Sequence, residues 1–246
     1  STMIARRGAV IYADQVGWQD REAGIPMAPD TIFRMYSMTK PVICTALMTL
    51  FEEGAFSLID PVAAFIPAFG ATKVMTPNGE LVDQNPMRPM QVRDLMSHTS
   101  GLSYDFLEDY PVAAQYRDAR LMNDPTRSLE AVINELASLP LAFHPGTSWH
   151  YSLGIDVAAR LIEVISGQPL GTFLHDRLFA PLGMVDTAFG VPEPKRHRLS
   201  AMYGLPDLFA EGMTFSAEFG HFMAGNVGRR DVDGTYPVDA PQTFQR

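Results

Sequence analysis

Only three lysines, Lys40, Lys73 and Lys195, occur among the 246 residues. One of them follows a serine by three places in Phe33-Arg34-Met35-Tyr36-Ser37-Met38-Thr39-Lys40-Pro41, where an apolar run begins. Proline lacks a backbone N–H and fits best in the first turn of a helix, where donors are unpaired in any case. Pro41 therefore places the helix start at Ser37 or Met38. A side-chain oxygen there lies beside free backbone N–H groups and the positive end of the helix dipole, both of which favour negative charge. Lys40, at i+3, comes round to the same face. A serine hydroxyl is a weak nucleophile until a base sits beside it, and a desolvated lysine is one such base. The same four letters also suit a capping hydroxyl and a solvated amine, and the spacing by itself leaves both readings open.

Two further stretches bear on that choice. Pro145-Gly146-Thr147-Ser148-Trp149-His150-Tyr151-Ser152-Leu153 puts Tyr151 in a loop just before a helix, and Leu95-Met96-Ser97-His98-Thr99-Ser100-Gly101 puts a polar turn after another. Serine hydrolases of the S-x-x-K kind employ a tyrosine as third proton carrier, and a positive charge close to a phenol favours the phenolate. Ser37 as nucleophile, Lys40 setting the charge and Tyr151 as base form a chemically coherent set. Taken alone, Tyr151 also reads as a loop aromatic packed on Trp149.

The elements that must position these groups follow from periodicity. Thr2 to Arg6 and Ala9 to Val16 read as two strands around an Arg7-Gly8 turn. Residues 38 to 53 carry Val42, Ile43, Ala46, Leu47, Leu50 and Phe51 at helical spacing, with Gly54 as a stop. The run is apolar on most sides, which predicts a central helix. Residues 59 to 90 read as loop with short elements, and Val92 to Ser97 as a short helix. Ser128 to Ser138 is predicted as a helix capped by Ser128, with Leu129, Val132, Ile133 and Leu136 on one face. Ile155 to Ser166 and Leu170 to Leu178 complete the helices. From 187 onward the pattern fades into loop, and the last dozen residues show no element. Two strands alone make no stable sheet, so the hairpin requires partners.

Composition removes several functions. A net charge of −9 speaks against nucleic acid, whose binding rests on clustered Lys and Arg. The short basic run Lys195 to Arg198 reads as a solvated loop. Cys44 is the single cysteine, so no internal disulfide forms, and its apolar setting suggests a small buried hydrophobe. No CxxC or HExxH spacing supports a metal site, and no cofactor motif occurs. No apolar stretch reaches the roughly 18 residues of a membrane span. Without a signal peptide in the chain, a cytoplasmic location is the expectation.

Together, Ile4 to Trp18, FRMYSMTKPV, DLMSHTSGL and PGTSWHYSLGID resemble the serine β-lactamase-like family of class C β-lactamases, D-Ala-D-Ala peptidases and family VIII carboxylesterases, in order over about residues 2 to 190. The resemblance implies an α+β fold of the β-lactamase/transpeptidase type, an antiparallel sheet flanked by helices plus a mostly helical domain. Residues 1–60 would form the N-terminal part of the sheet domain with the nucleophile helix, 61–200 the helical domain with the tyrosine motif, and 201–246 an irregular segment. It also implies that Ser37 forms the acyl-enzyme and lends its N–H to the oxyanion hole, with Lys40 and Tyr151 sharing the proton work. Tyr104 and Asp105, after the HTSGL turn, would rim the substrate pocket. β-Lactamases and peptidases carry Tyr-x-Asn where this chain has Tyr151-Ser152-Leu153. Leu153 lacks the amide that would bind a lactam or peptide, and the esterases show a similar sequence.

The resemblance therefore points first to a carboxylesterase for small acyl esters. β-Lactam or D-amino peptide hydrolysis, a non-hydrolytic penicillin-binding module and acyl transfer are the other readings. The family's third motif, a Lys-Thr-Gly, His-Thr-Gly or Trp-Gly-Gly, is not found in these 246 residues. The expectation is thus a sheet incomplete in this chain, inactive unless the remaining portion is supplied, as a continuation or as a second chain.

Overall fold

The computed structural model describes residues 1–85, 88–119, 121, 126–204, 228, 229 and 231. They divide into two compact units, one of residues 1–36 with 190–204 and the described residues near 229, the other of residues 37–189.

The first unit is built of antiparallel ribbons. β1 (Thr2–Arg6) pairs with β2 (Ala9–Asp14), with a register shift between Ile4 and Ala5. The two-residue turn is made possible by positive φ at Arg7 and Gly8. Every residue of both strands is exposed within the described structure. β3 (Trp18–Asp20) pairs with β4 (Ile25–Pro26), and β7 (Tyr203–Gly204) with β8 (Gly228–Arg229). Gln19 ties the unit together from a buried position, accepting from the Thr31 hydroxyl at 3.0 Å and donating to the His197 carbonyl at 2.7 Å. The basic run 195–198 is not loop but lies in a 3-10 turn, Glu193–Arg198. Arg198 pairs with Asp30 at 3.0 Å, which removes one of its charges from plain solvation.

The second unit is helical around a continuous apolar core. α1 (Thr39–Glu52) packs against α5 (Gly154–Ser166) through Ile43, Ala46, Leu47 and Leu50 on one side and Ile155, Val157, Ala158, Leu161 and Ile162 on the other, all buried. Burying each such leucine or isoleucine contributes about 1.5–3 kcal/mol. α2 (Val92–Met96) packs on α5 as well, and so does α4 (Leu129–Leu136). On α4 all four face residues are buried, and the Ser128 hydroxyl accepts from Ala131 N–H at 3.2 Å. α5 ends at Gly167 in the left-handed conformation, a position suited to glycine. β5 (Lys73–Met75) and β6 (Leu81–Asp83) form a small ribbon.

Three further features depart from the sequence expectations. α3 (Ala113–Ala119) has no counterpart in the sequence periodicity; it buries Ala113 and Tyr116 but is too short to show a clear period. The Leu170–Leu178 helix is α6 (Leu170–Leu174) followed by a π turn, His175–Phe179. Cys44 is only half-buried at the edge of the core. α1 starts at Met38, one of the two expected positions: Met38 occupies the cap with no side-chain hydrogen bond, and Ser37 lies just before it in a 3-10 turn, Tyr36–Met38. Pro41 does fall in the first turn, as its missing N–H requires. The expected irregular segment 201–246 falls almost wholly outside the described residues. The α+β class with antiparallel strands is what the structure shows.

Candidate active site

The 3-10 turn before α1 presents Ser37 as an exposed side chain. Its predecessor Tyr36 has φ 45°, in the left-handed region that non-glycine residues rarely adopt. Such backbone costs about 1–3 kcal/mol and persists where surrounding structure enforces it. One turn on, Lys40 Nζ donates to Ser37 Oγ at 3.2 Å. Tyr151 arrives from 114 positions away and donates its hydroxyl to the same oxygen at 2.7 Å.

Tyr151 sits on irregular chain, so something other than a helix or strand must hold it. The loop after α2 does so. His150 N–H donates to His98 O at 2.9 Å, Gly146 N–H to Thr99 O at 2.8 Å and Ala142 N–H to Gly101 O at 2.7 Å. Gly101 is obligatory here: its φ is 86°, and a Cβ would stand 2.3 Å from Phe143 O. The α2 loop is itself anchored by Asp94, which is 2% exposed. Its carboxylate takes a bidentate pair from Arg88 at 2.7 Å on each arm, and accepts from the Thr99 hydroxyl at 3.0 Å and Gln91 N–H at 2.8 Å. Immediately after Tyr151, Gly154 lets α5 approach α2 closely; a Cβ there would meet Leu95 O at 2.8 Å. A second buried contact, Ser103 Oγ to His150 Nε2 at 2.9 Å, braces the same loop.

Aromatic rings enclose the amine. Lys40 Nζ lies 4.7 Å from the centre of the Tyr151 ring and 5.6 Å from that of Tyr104. The two rings are 5.3 Å apart, and Tyr104 stacks on Phe106 at 4.9 Å. The two tyrosines are electrostatically distinct. Burial first, and then the nearby Asp156, Tyr151 and Asp105, hold the Tyr104 phenol far above the usual range. Asp156, half-buried on the first turn of α5, is pushed up to about 6 by desolvation, with the Lys40 charge pulling the other way.

The structure thus brings Ser37, Lys40, Tyr151 and Tyr104 together. Leu153 instead turns into the core at 2% exposure, as the residue before α5. Asp105 is half-buried, its carboxyl raised chiefly by desolvation. Sequence reasoning gave no role to His98 or Asp156. The only signal for either was position: His98 at a helix end before Thr-Ser-Gly, Asp156 one turn past Tyr151. Among the described residues, no cluster of His, Cys, Asp and Glu is arranged to hold a metal, and no helix is long and apolar enough to cross a membrane.

The Beta-lactamase family model matches residues 1–234. The chain belongs to the Beta-lactamase family. Relatives of this Beta-lactamase-family chain include Esterase EstB of Burkholderia gladioli, 35% identical over 96% of this chain and 59% of that protein. Protein Rv1367c of Mycobacterium tuberculosis is 35% identical over 84% of this chain and 51% of that protein. Among solved structures, EstCE1, described as a hydrolase with promiscuous acyltransferase activity, aligns with a TM-score of 0.71 at 32% identity, over 82% of this chain and 50% of that one. The chain spans roughly half to three-fifths of the length of these relatives. They establish the β-lactamase/transpeptidase-like fold expected from the motifs.

Proposed function

We propose that the protein is a serine carboxylesterase that cleaves small acyl esters through an acyl-enzyme on Ser37. One observation carries the reading: a phenol at 2.7 Å and an amine at 3.2 Å converge on a single exposed serine oxygen. The relative Esterase EstB supports the substrate class, and EstCE1, described as a hydrolase, supports the reaction type.

In the first step Ser37 Oγ adds to the ester carbonyl carbon, and the carbonyl π pair moves to oxygen. The serine proton passes along the short line to Tyr151, with Lys40 stabilising the negative charge that this carrier bears when it is deprotonated. Both Lys40 Nζ and the Tyr151 oxygen lie within hydrogen-bond reach of Ser37 Oγ, so the two groups share the proton work. The Ser37 backbone N–H contributes to stabilising the oxyanion. Collapse breaks the C–O bond to the alcohol, whose oxygen takes the proton back. Water then repeats the sequence on the acyl-serine ester and restores Ser37. Tyr104, whose phenol burial holds above its ordinary range, contributes a wall of the site rather than a base. An alcohol in place of water gives acyl transfer by the same steps, the activity named for EstCE1.

The test uses the whole protein and p-nitrophenyl acetate. An initial burst matching the protein concentration, with an acetyl group on the Ser37 peptide, is expected and is lost in Ser37→Ala. A burst retained in that variant ends the assignment. Turnover of nitrocefin faster than of the ester moves the assignment to lactam hydrolysis.

A further inference from the structure

Among the described groups against the Tyr151 ring are Lys40, Tyr104 and His98, and His98 has no part in the steps set out above. The His98 ring lies 4.8 Å from the Tyr151 ring at a 48° tilt, and 6.2 Å from Trp149 in an edge-on arrangement. Its backbone carbonyl accepts from His150 N–H, one residue before Tyr151. Its Nδ1 stands 3.4 Å from Ser152 Oγ, one residue after Tyr151. Ser152 is fully buried, and its oxygen also accepts from Gly154 N–H at 3.3 Å. A single residue thus touches the positions before, at and after the phenol.

The cost of this placement is visible in the backbone. His98 has φ 57°, a left-handed conformation in a residue with a Cβ. Glycine, which adopts that conformation freely, stands three residues later at Gly101. The position therefore retains a ring at the expense of strain, the pattern found where a side chain is needed.

We infer that His98 is a positioning residue for Tyr151: its ring is the bearing surface that fixes the phenol in line with Ser37 Oγ. The inference rests on the reading of Tyr151 as the proton carrier. The groups facing His98 are Lys40 from α1, and Tyr151 and His150 from the loop before α5. Burial, the Lys40 charge and His150 all lower the His98 pKa, which keeps the ring neutral and free to pack on Tyr151 rather than repel Lys40. The Nδ1 contact is long, so the ring face is the larger contribution.

The test compares His98→Asn with His98→Phe in the whole protein. Asparagine tolerates left-handed backbone but removes the ring; phenylalanine keeps the ring and loses the nitrogen. Expected for His98→Asn is a loss of about 10–100-fold in kcat with KM within about twofold, because a small misplacement of a reacting group costs that much. His98→Phe is expected to recover most of it. Ring resonances of Tyr151, assigned by their loss in Tyr151→Phe, should shift in His98→Asn whether or not any ester is turned over. If the parent protein turns over no ester yet those resonances shift, the esterase reading fails and the positioning role stands. Unmoved resonances, an unchanged kcat, or a phenylalanine variant as impaired as the asparagine one overturns the inference.

Discussion

Ser37 and Lys40 meet within a single turn of chain, whereas Tyr151 crosses 114 positions to join them. The first pair needs only the geometry of a helix start, which any competent helix supplies. The phenol needs three backbone hydrogen bonds between two irregular loops, a part-buried ion pair beneath one of them and two glycines where no side chain fits. The half of the site that is cheap to build is local, and the half that is costly is assembled from distant chain. Damage to the fold should therefore reach catalysis through Tyr151 before it reaches the serine.

The largest expected effect tests the chemistry at that junction. Tyr151→Phe, which keeps the ring and removes the hydroxyl, should lower kcat on p-nitrophenyl acetate by about 10²–10⁴-fold with an unchanged thermal midpoint, since only a proton path is lost. Second, Arg88→Met leaves the Asp94 carboxylate buried without its bidentate partner. Denaturant unfolding should show a loss of about 2–4 kcal/mol, less than for a fully buried pair because Arg88 is 28% exposed. Third, Gly101→Ala combines a left-handed backbone with a contact to Phe143 O. It should cost about 2–4 kcal/mol and lower kcat as well, whereas an equally destabilising change on α4 should spare kcat.

A fourth prediction concerns pH. Folded Asp156 holds its proton up to about pH 6, while the unfolded chain releases it near 3.8. The folded state binds more protons between those values, so stability from this group is full below the lower one and lost as pH rises through the upper. Asp156→Asn should flatten that slope in unfolding midpoints measured across the interval. The smallest effect is a control far from the comparison: Ser128→Ala removes a cap and should cost about 1 kcal/mol with activity intact.

The same division explains what the sequence discloses. α1, α4 and α5 are legible because apolar residues repeat with the period of the helix, and the Ser37–Lys40 spacing is legible because it lies on one of them. The seam between residues 98–101 and 142–150 is invisible in the letters. It is made of amides and carbonyls that every residue carries, and only Gly101 and Gly146 mark where the loops approach. His98 is hidden for a related reason: its ring meets that of Tyr151 across 53 positions, a contact that no local period encodes. Leu153 is legible as an apolar residue after Tyr151-Ser152, but not as a core residue, since burial is a property of the packed helix and not of the triplet.

The three backbone bonds of that seam join residues 101, 99 and 98 to residues 142, 146 and 150. The two loops therefore advance at unequal rates, and neither can slide along the other as strands in a ladder do. One residue of extended chain measures about 3.3–3.6 Å, more than the whole separation of the Tyr151 and Ser37 oxygens. Diversification of this segment can proceed by exchanging letters but not by changing their number: a single-codon deletion between Gly146 and Tyr151 would misindex the phenol by more than its reach, while many substitutions at the same sites would leave it on target.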